Sequence, residues 1–237
     1  MIHPIISPEI SSIISNYHAG IIEAIVSNQP TSSQLSEEIR SCSSWLQENF
    51  TTDSIKERSS IAATRAAYKA ARKDPSRYRP SCEQLARRVL QGKDLYSISM
   101  LVDLGNLISL QSGYSVAVLD AAHIKGDTII FGIGREGEDY EGIGRGPLNI
   151  AHLPVWRDEL GSFATPTSDS VRTQCELTTE KILIIINGFD GDVKHLTETM
   201  VYTEKLLLHF CEAEEIYSAI YPLKLYIYQL ITNNYST

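Results

Sequence analysis

The 237-residue chain is poor in the side chains from which metal centres and covalent frameworks are built. Its four cysteines, Cys42, Cys82, Cys175 and Cys211, form no CxxC or CxxH pair. That argues against a zinc site and a disulfide framework, and leaves buried small apolar residues as the simplest reading. The six histidines show no i,i+4 pairing beside an acid, so neither a helix-borne metal nor any other cofactor is expected. Long apolar runs are missing too, since no stretch approaches the ~20 residues of a membrane span. The first residues, MIHPIISPEISS, carry no Lys or Arg before their apolar positions and no small-residue cleavage pattern. These absences make a secretory leader and a membrane anchor unexpected and the cytoplasm the expected location. There is no GK[ST] for a nucleoside triphosphate, no GxSxG elbow, and no Ser-His-Asp or Cys-His set identifiable by spacing, so a covalent hydrolase mechanism has no support.

What is present suffices for a buried core, with 43% of residues hydrophobic. The net charge of −8 is unevenly distributed: residues 56–93 hold eleven Lys or Arg against Glu57, Asp74 and Glu83. Arg58, Arg65, Lys69 and Arg72 recur at helical spacing among small alanines, and Lys73, Arg77, Arg79, Arg87 and Arg88 continue the basic run. Such a stripe suits phosphates, because binding releases the counterions of a polyanion. It is equally consistent with a solvated helix face that balances the acidic remainder.

Periodicity divides the chain. Residues 7–15 can form a short helix, 19–27 read as a strand, and Thr31 or Ser32 can cap a helix to about residue 50. A helix is expected over 53–73, and another, capped by Ser81, stops at Gly92. Residues 100–112 form an amphipathic helix interrupted by Asp103 and Asn106, with Leu101, Leu104, Leu107 and Ile108 as its core stripe. Extended runs follow at 114–119, 127–131, 154–158 and 181–188, and a helix returns at 193–210. The Tyr-rich tail from Ile216, interrupted by Pro222, can pack on the domain or mediate a homodimer. We expect one α+β domain over 1–237, with a helical N-terminal part (about 1–98), a β-rich core (99–191), and a C-terminal helix and tail (192–237).

Two polar segments invite chemistry. FGIGREGEDYEGIGRGP, residues 131–147, contains a literal GxGxxG at Gly132, Gly134 and Gly137. Its acidic continuation, Glu138 to Glu141, is wrong for a dinucleotide-binding helix. Its two Gly-Arg turns could instead bring Arg135 and Arg145 to one anionic ligand, or be an ordinary glycine-rich loop. TPTSDSVRT, residues 165–173, could bind a small polar molecule or be a capped turn.

MLVDLGNLISLQSGYSVAVLD, residues 100–120, resembles the pattern VVDVTNYVxLELGQPxHAFD of the editing module, the B3/4 domain, of phenylalanyl-tRNA synthetase beta chains. The hairpin-like DAAHIKGDTIIFGIGREGE and the passage from TPTSDSVRT to KILIIING occur in the family's order. KDPSRYRPSCEQLARRVL, GREGEDYEGIGRGPLNI and GSFATPTSDSVRT resemble freestanding members more closely, and the similarity spans roughly residues 50–211. The resemblance implies a three-layer β/β/α fold and, from the synthetase, hydrolysis of tyrosine misattached to the phenylalanine tRNA.

By the same resemblance, Asp103, Asn106 and Asp120 match family positions, while Ala117 stands where the synthetase has a pocket histidine. The TSDS run replaces a Gly-Gly-acid stretch whose Glu reads the tyrosine hydroxyl, with Asp169 near that Glu. The expectation is a hydrolase that edits misacylated tRNA in trans, with a different amino-acid preference and no part in ligation or DNA binding. Asn106, Thr167, Ser168 and Asp169 would position water and the amino acid. Asp103, Asp120 and Glu136 would complete the substrate site, and Arg135 and Arg145 would hold the terminal adenosine or its phosphate. A non-catalytic RNA- or small-ligand-binding module of the same fold is the alternative.

Overall fold

The computed structural model describes residues 1–223 and 225–226. In chain order its elements are β1 (His3–Ile6), α1 (Pro8–Ile13), β2 (His18–Ile25), α2 (Ser33–Asn49), α3 (Ser59–Ala70), α4 (Ser81–Leu90), α5 (Met100–Ser112), β3 (Ser115–Asp120) and β4 (Thr128–Ile133). They continue with β5 (Glu141–Gly142), β6 (Gly146–Pro147), β7 (Pro154–Asp158), β8 (Gly161–Ala164), β9 (Lys181–Gly188), α6 (Val193–Phe210), β10 (Glu214–Tyr221) and β11 (Leu225–Tyr226).

The strand β9 explains the layering. Its apolar run KILIIING has no polar face, because both of its faces are covered. Leu183 and Ile185 join Ile21 of β2 and Leu119 of β3 against Phe131, Trp156 and Phe163 of a second sheet. Ile182, Ile184 and Ile186 face Leu101, Leu104 and Ile108 of α5 and Leu196, Met200 and Leu207 of α6. A period of two on a strand covered on both sides thus yields two apolar interfaces and three layers, sheet on sheet on helices. The central sheet has the order β11-β10-β2-β9-β3 and is antiparallel throughout; the outer sheet runs β1-β4-β7-β8, with β1 parallel to β4. Between the sheets the buried Asn187 accepts from Tyr17 Oη at 2.7 Å and Trp156 Nε1 at 3.3 Å, and donates to the Ser115 carbonyl.

Several expectations need correction. The helix read over 53–73 is broken: a 3-10 turn at Ile55–Glu57 precedes Arg58, which leaves helical geometry with ψ 128° before α3 starts. The break turns the Arg58 guanidinium toward the carbonyls of Leu110 and Gln111, the open C-terminal end of α5. Gly113 ends that helix at φ 76°, and a Cβ there would lie 2.4 Å from Ser60 Oγ, so both conformation and space require glycine. The N-terminal region supplies, besides its helices and the expected strand β2, the strand β1, which the sequence reading lacks. Ser81 is the first residue of α4, with Pro80 as its N-cap. Residues 115–120 and 128–133 form no hairpin, because β3 and β4 lie in different sheets. Within the tail, β10 sits between β2 and β11 and so is part of the central sheet. The tail beyond Tyr226 lies outside the described residues. No helix among the described residues is long and apolar enough to cross a membrane.

Candidate functional site

At the edge strand β3, four separated segments enclose a cleft of about 250 Å³. Ser81, Gln84 and Leu85 come from α4, Asn106 from α5, Val116 from β3, and Ile143 and Arg145 from the β5–β6 hairpin; Thr165, Thr167, Ser168 and Asp169 follow β8. Leu85, Val116 and Ile143 supply the apolar part of the lining, and amides, hydroxyls and a carboxyl the rest. Gly105 permits this closeness on the α5 side, because a Cβ there would lie 2.5 Å from Val118 Cγ2.

The 165–169 segment is a built turn. Thr165 Oγ1 accepts from the backbone N–H groups of Thr167 and Ser168, each at 3.1 Å. The Thr167 hydroxyl is committed to the protein, donating to the Tyr78 carbonyl at 3.0 Å and lying 2.8 Å from Tyr68 Oη. It shapes the wall rather than serving a ligand. Ser168 Oγ makes long bonds, at 3.3 Å to the Ile143 carbonyl and 3.5 Å to the Asp169 carbonyl. Gln84 donates to the carbonyls of Arg79 and Thr167 and accepts from Arg145. The Asp169 carboxyl is met by the Thr165 backbone N–H, and burial pushes its pKa up to about 8. It therefore carries a proton near neutral pH.

The structure separates the other expected site residues. Asp103, buried in the first turn of α5, accepts from Thr31 Oγ1 at 2.6 Å, Ser97 Oγ at 3.1 Å and the Ile98 N–H, and so fastens two loops. Asp120 accepts from Thr179 Oγ1 at 2.7 Å and the Ala122 N–H. Arg135 and Glu136 sit exposed on the turn after β4, outside the cleft lining. Ala117 faces the core between the sheets, while its neighbour Val116 lines the cleft. Sequence reasoning missed Val116, Ile143 and Thr165, and on α4 it missed Ser81, Gln84 and Leu85. The last three were legible as a helix start, but only the docking of α4 beside α5 puts them at the site.

The basic stripe is largely internal. Glu83, fully buried, is met by Arg65 at 2.8 Å, Arg87 at 2.8 Å and Arg79 at 3.5 Å. Lys73 donates to the carbonyls of Asn149 and Ala151 and lies 3.7 Å from the centre of the Tyr78 ring. Arg88 donates to the Asp94 carbonyl and stacks on Tyr96 at 4.1 Å. Of the nine cations, Lys69, Arg72 and Arg77 remain exposed. Arg77 precedes Tyr78, whose carbonyl is bonded to Thr167 of the cleft wall.

The glycine-rich segment has a structural explanation. A Cβ on Gly134 would lie 2.1 Å from the Ile150 carbonyl oxygen, and the Gly134 N–H and carbonyl bond Leu153 and His152. Gly134→Ala is expected to destabilise the fold by about 3 kcal/mol, the upper end for atoms forced into a packed site. Urea unfolding checks this, and an unchanged midpoint would show that the two segments move apart freely. A larger groove of about 730 Å³ lies between α2, α5 and α6, lined by Glu37, Glu38, Trp45 and Tyr202. It contains none of the expected site residues.

No group of three or more His, Cys, Asp or Glu among the described residues could hold a metal ion. No curated protein matches the chain. Among solved structures, an N-terminal fragment of the phenylalanyl-tRNA synthetase beta subunit from Pyrococcus horikoshii is similar at TM-score 0.46 and 12% identity, over 93% of this chain and 54% of that one. The chain thus spans about half the length of that fragment. The model of the B3/4 domain matches residues 63–207, most of the chain, and the protein belongs to the B3/4 domain family.

Proposed function

We propose that this protein hydrolyses the aminoacyl ester of misacylated tRNA in trans, with the cleft beside β3 as its site. The observation that carries the reading is the convergence of Asn106, Arg145, Ser168 and Asp169, from three distant parts of the chain, on one cleft with an apolar wall. An aminoacyl ester is already activated, so a positioned water and a donor to the developing oxyanion can suffice without a nucleophilic side chain. Asn106 offers its carboxamide N–H to the oxyanion, Ser168 Oγ helps hold the water, and Leu85, Val116 and Ile143 receive the amino-acid side chain. Arg145 at the rim, with Arg77, Lys69 and Arg72 beyond it, meets RNA phosphates.

A panel of tRNAs, each charged with a non-cognate amino acid, tests this with the full chain. At least one is expected to release its amino acid well above the spontaneous rate. Asn106→Ala should cut that release by about a hundredfold, the usual cost of losing one oxyanion donor. No release from any of them overturns the enzyme reading.

One observation favours a non-catalytic tRNA- or small-ligand-binding module instead. The Thr167 hydroxyl is engaged and Asp169 holds its proton, so no ready base lines the cleft among the described residues. That reading predicts salt-dependent tRNA binding, weakened when Lys69, Arg72 and Arg77 are neutralised, without deacylation.

A further inference from the structure

We propose that Asp169 selects substrates by recognising a free α-ammonium group, so that N-blocked aminoacyl and peptidyl esters are excluded from the cleft. This rests on the cleft being an aminoacyl site, as proposed above, and adds which aminoacyl esters it admits.

Asp169 lines the cleft from the end of the 165–169 turn, where the Thr165 backbone N–H meets its carboxyl. No cation is paired with its carboxyl among the described residues. Tyr68 of α3 and Tyr140 before β5 are phenols held neutral by burial, and burial pushes the Cys175 thiol up to about 12. Arg145 lines the same cleft, but its guanidinium donates to Gln84. Arg172, three residues beyond Asp169, is paired with Asp158 at 2.9 Å. Asp120, near Cys175, is an acid that accepts from Thr179.

A carboxyl in such a place ionises when a cation comes to it. Of the parts of an aminoacyl-tRNA that can enter a cleft of this size, the α-ammonium is the one cation every amino acid brings. On binding, the Asp169 proton leaves to solvent and the carboxylate pairs with the ammonium. Asn106, in the same lining, then serves the adjacent ester. An N-acyl group removes the charge and adds bulk, leaving Asp169 protonated with no cation to pair.

The test uses the full chain and adenosines bearing a non-hydrolysable 3′-aminoacylamino group, with alanyl, valyl, leucyl and phenylalanyl versions each compared with its N-acetyl derivative at pH 8. For at least one pair the free amine is expected to bind at least about thirty-fold tighter, as befits a desolvated charge pair. In Asp169→Asn that preference should shrink to less than about threefold, while circular dichroism and thermal melting show the variant folded. Equal binding within every pair, an unchanged preference in Asp169→Asn, or no binding of any analogue overturns the proposal. Deacylation of mischarged tRNA by the same preparation separates the two readings. Release without amine preference removes this inference alone, and amine preference without release removes the hydrolase alone.

Discussion

Glu83→Ala is expected to lower the free energy of unfolding by about 3–5 kcal/mol, the usual result of stripping one partner from a buried ion pair. Glu83 is fully buried, and the guanidiniums of Arg65, Arg79 and Arg87 converge on its two oxygens. Without the carboxylate, three cations share a site where their side chains are at most 38% exposed, and the Arg65 bonds to Pro75 and Ser76 cannot offset their repulsion. Glu83→Gln keeps the shape and an acceptor, so it should cost less. Urea denaturation with unchanged m-values is the measurement. A Glu83→Ala midpoint equal to that of the native chain would show that these arginines find water or other acceptors, and that the cluster does not hold α4 to α3.

Asp169→Asn is expected to stabilise the protein, increasingly so as pH rises. The folded-state pKa of Asp169 is raised from 3.8 to about 8 by burial. Between those values the folded state holds a proton that the unfolded chain has released. Stability is therefore full below about pH 4, declines through the neutral range, and levels off above about pH 8. Asparagine keeps an acceptor for the Thr165 N–H and has nothing to ionise. The stability gap between variant and native chain should be small at pH 4 and reach a few kcal/mol at pH 9. Unfolding curves at both pH values check it. A pH-independent gap would mean that the carboxyl ionises freely in the folded state. A gain in stability on removing a functional group is what a site held ready for a ligand shows.

Much of the fold was legible along the chain because period and punctuation are local. Ser32 caps α2 by accepting from the Leu35 N–H, Gly113 ends α5, and the apolar run at 181–188 is a strand covered on both faces. The strand reading of 19–27 also holds, as β2. The break at Arg58 was not legible, because what it satisfies, the end of α5, lies about fifty residues further along the chain. For the same reason β3 and β4 look like a hairpin in sequence and belong to different sheets. The candidate site was legible in part. Asn106, Arg145, Ser168 and Asp169 meet in the cleft, whereas Asp103 and Asp120, polar residues in the same stretch of chain, fasten loops instead.

The basic stripe shows most directly where local information ends. Spacing alone determined that residues 56–93 carry a high density of positive charge on helices and that α5 is amphipathic, since each depends on residue type and near neighbours. Whether a given cation faces solvent or a partner was decided by tertiary structure alone. Arg65 and Arg87 have the same side chain as Arg77, yet they close on Glu83 while Arg77 stays exposed. The physical reason is that a charge buried by folding must be compensated, and its compensating group can come from any part of the chain that packing brings near. The same holds for Asp169, whose proton and candidate role follow from what surrounds it in space and not from its neighbours in sequence.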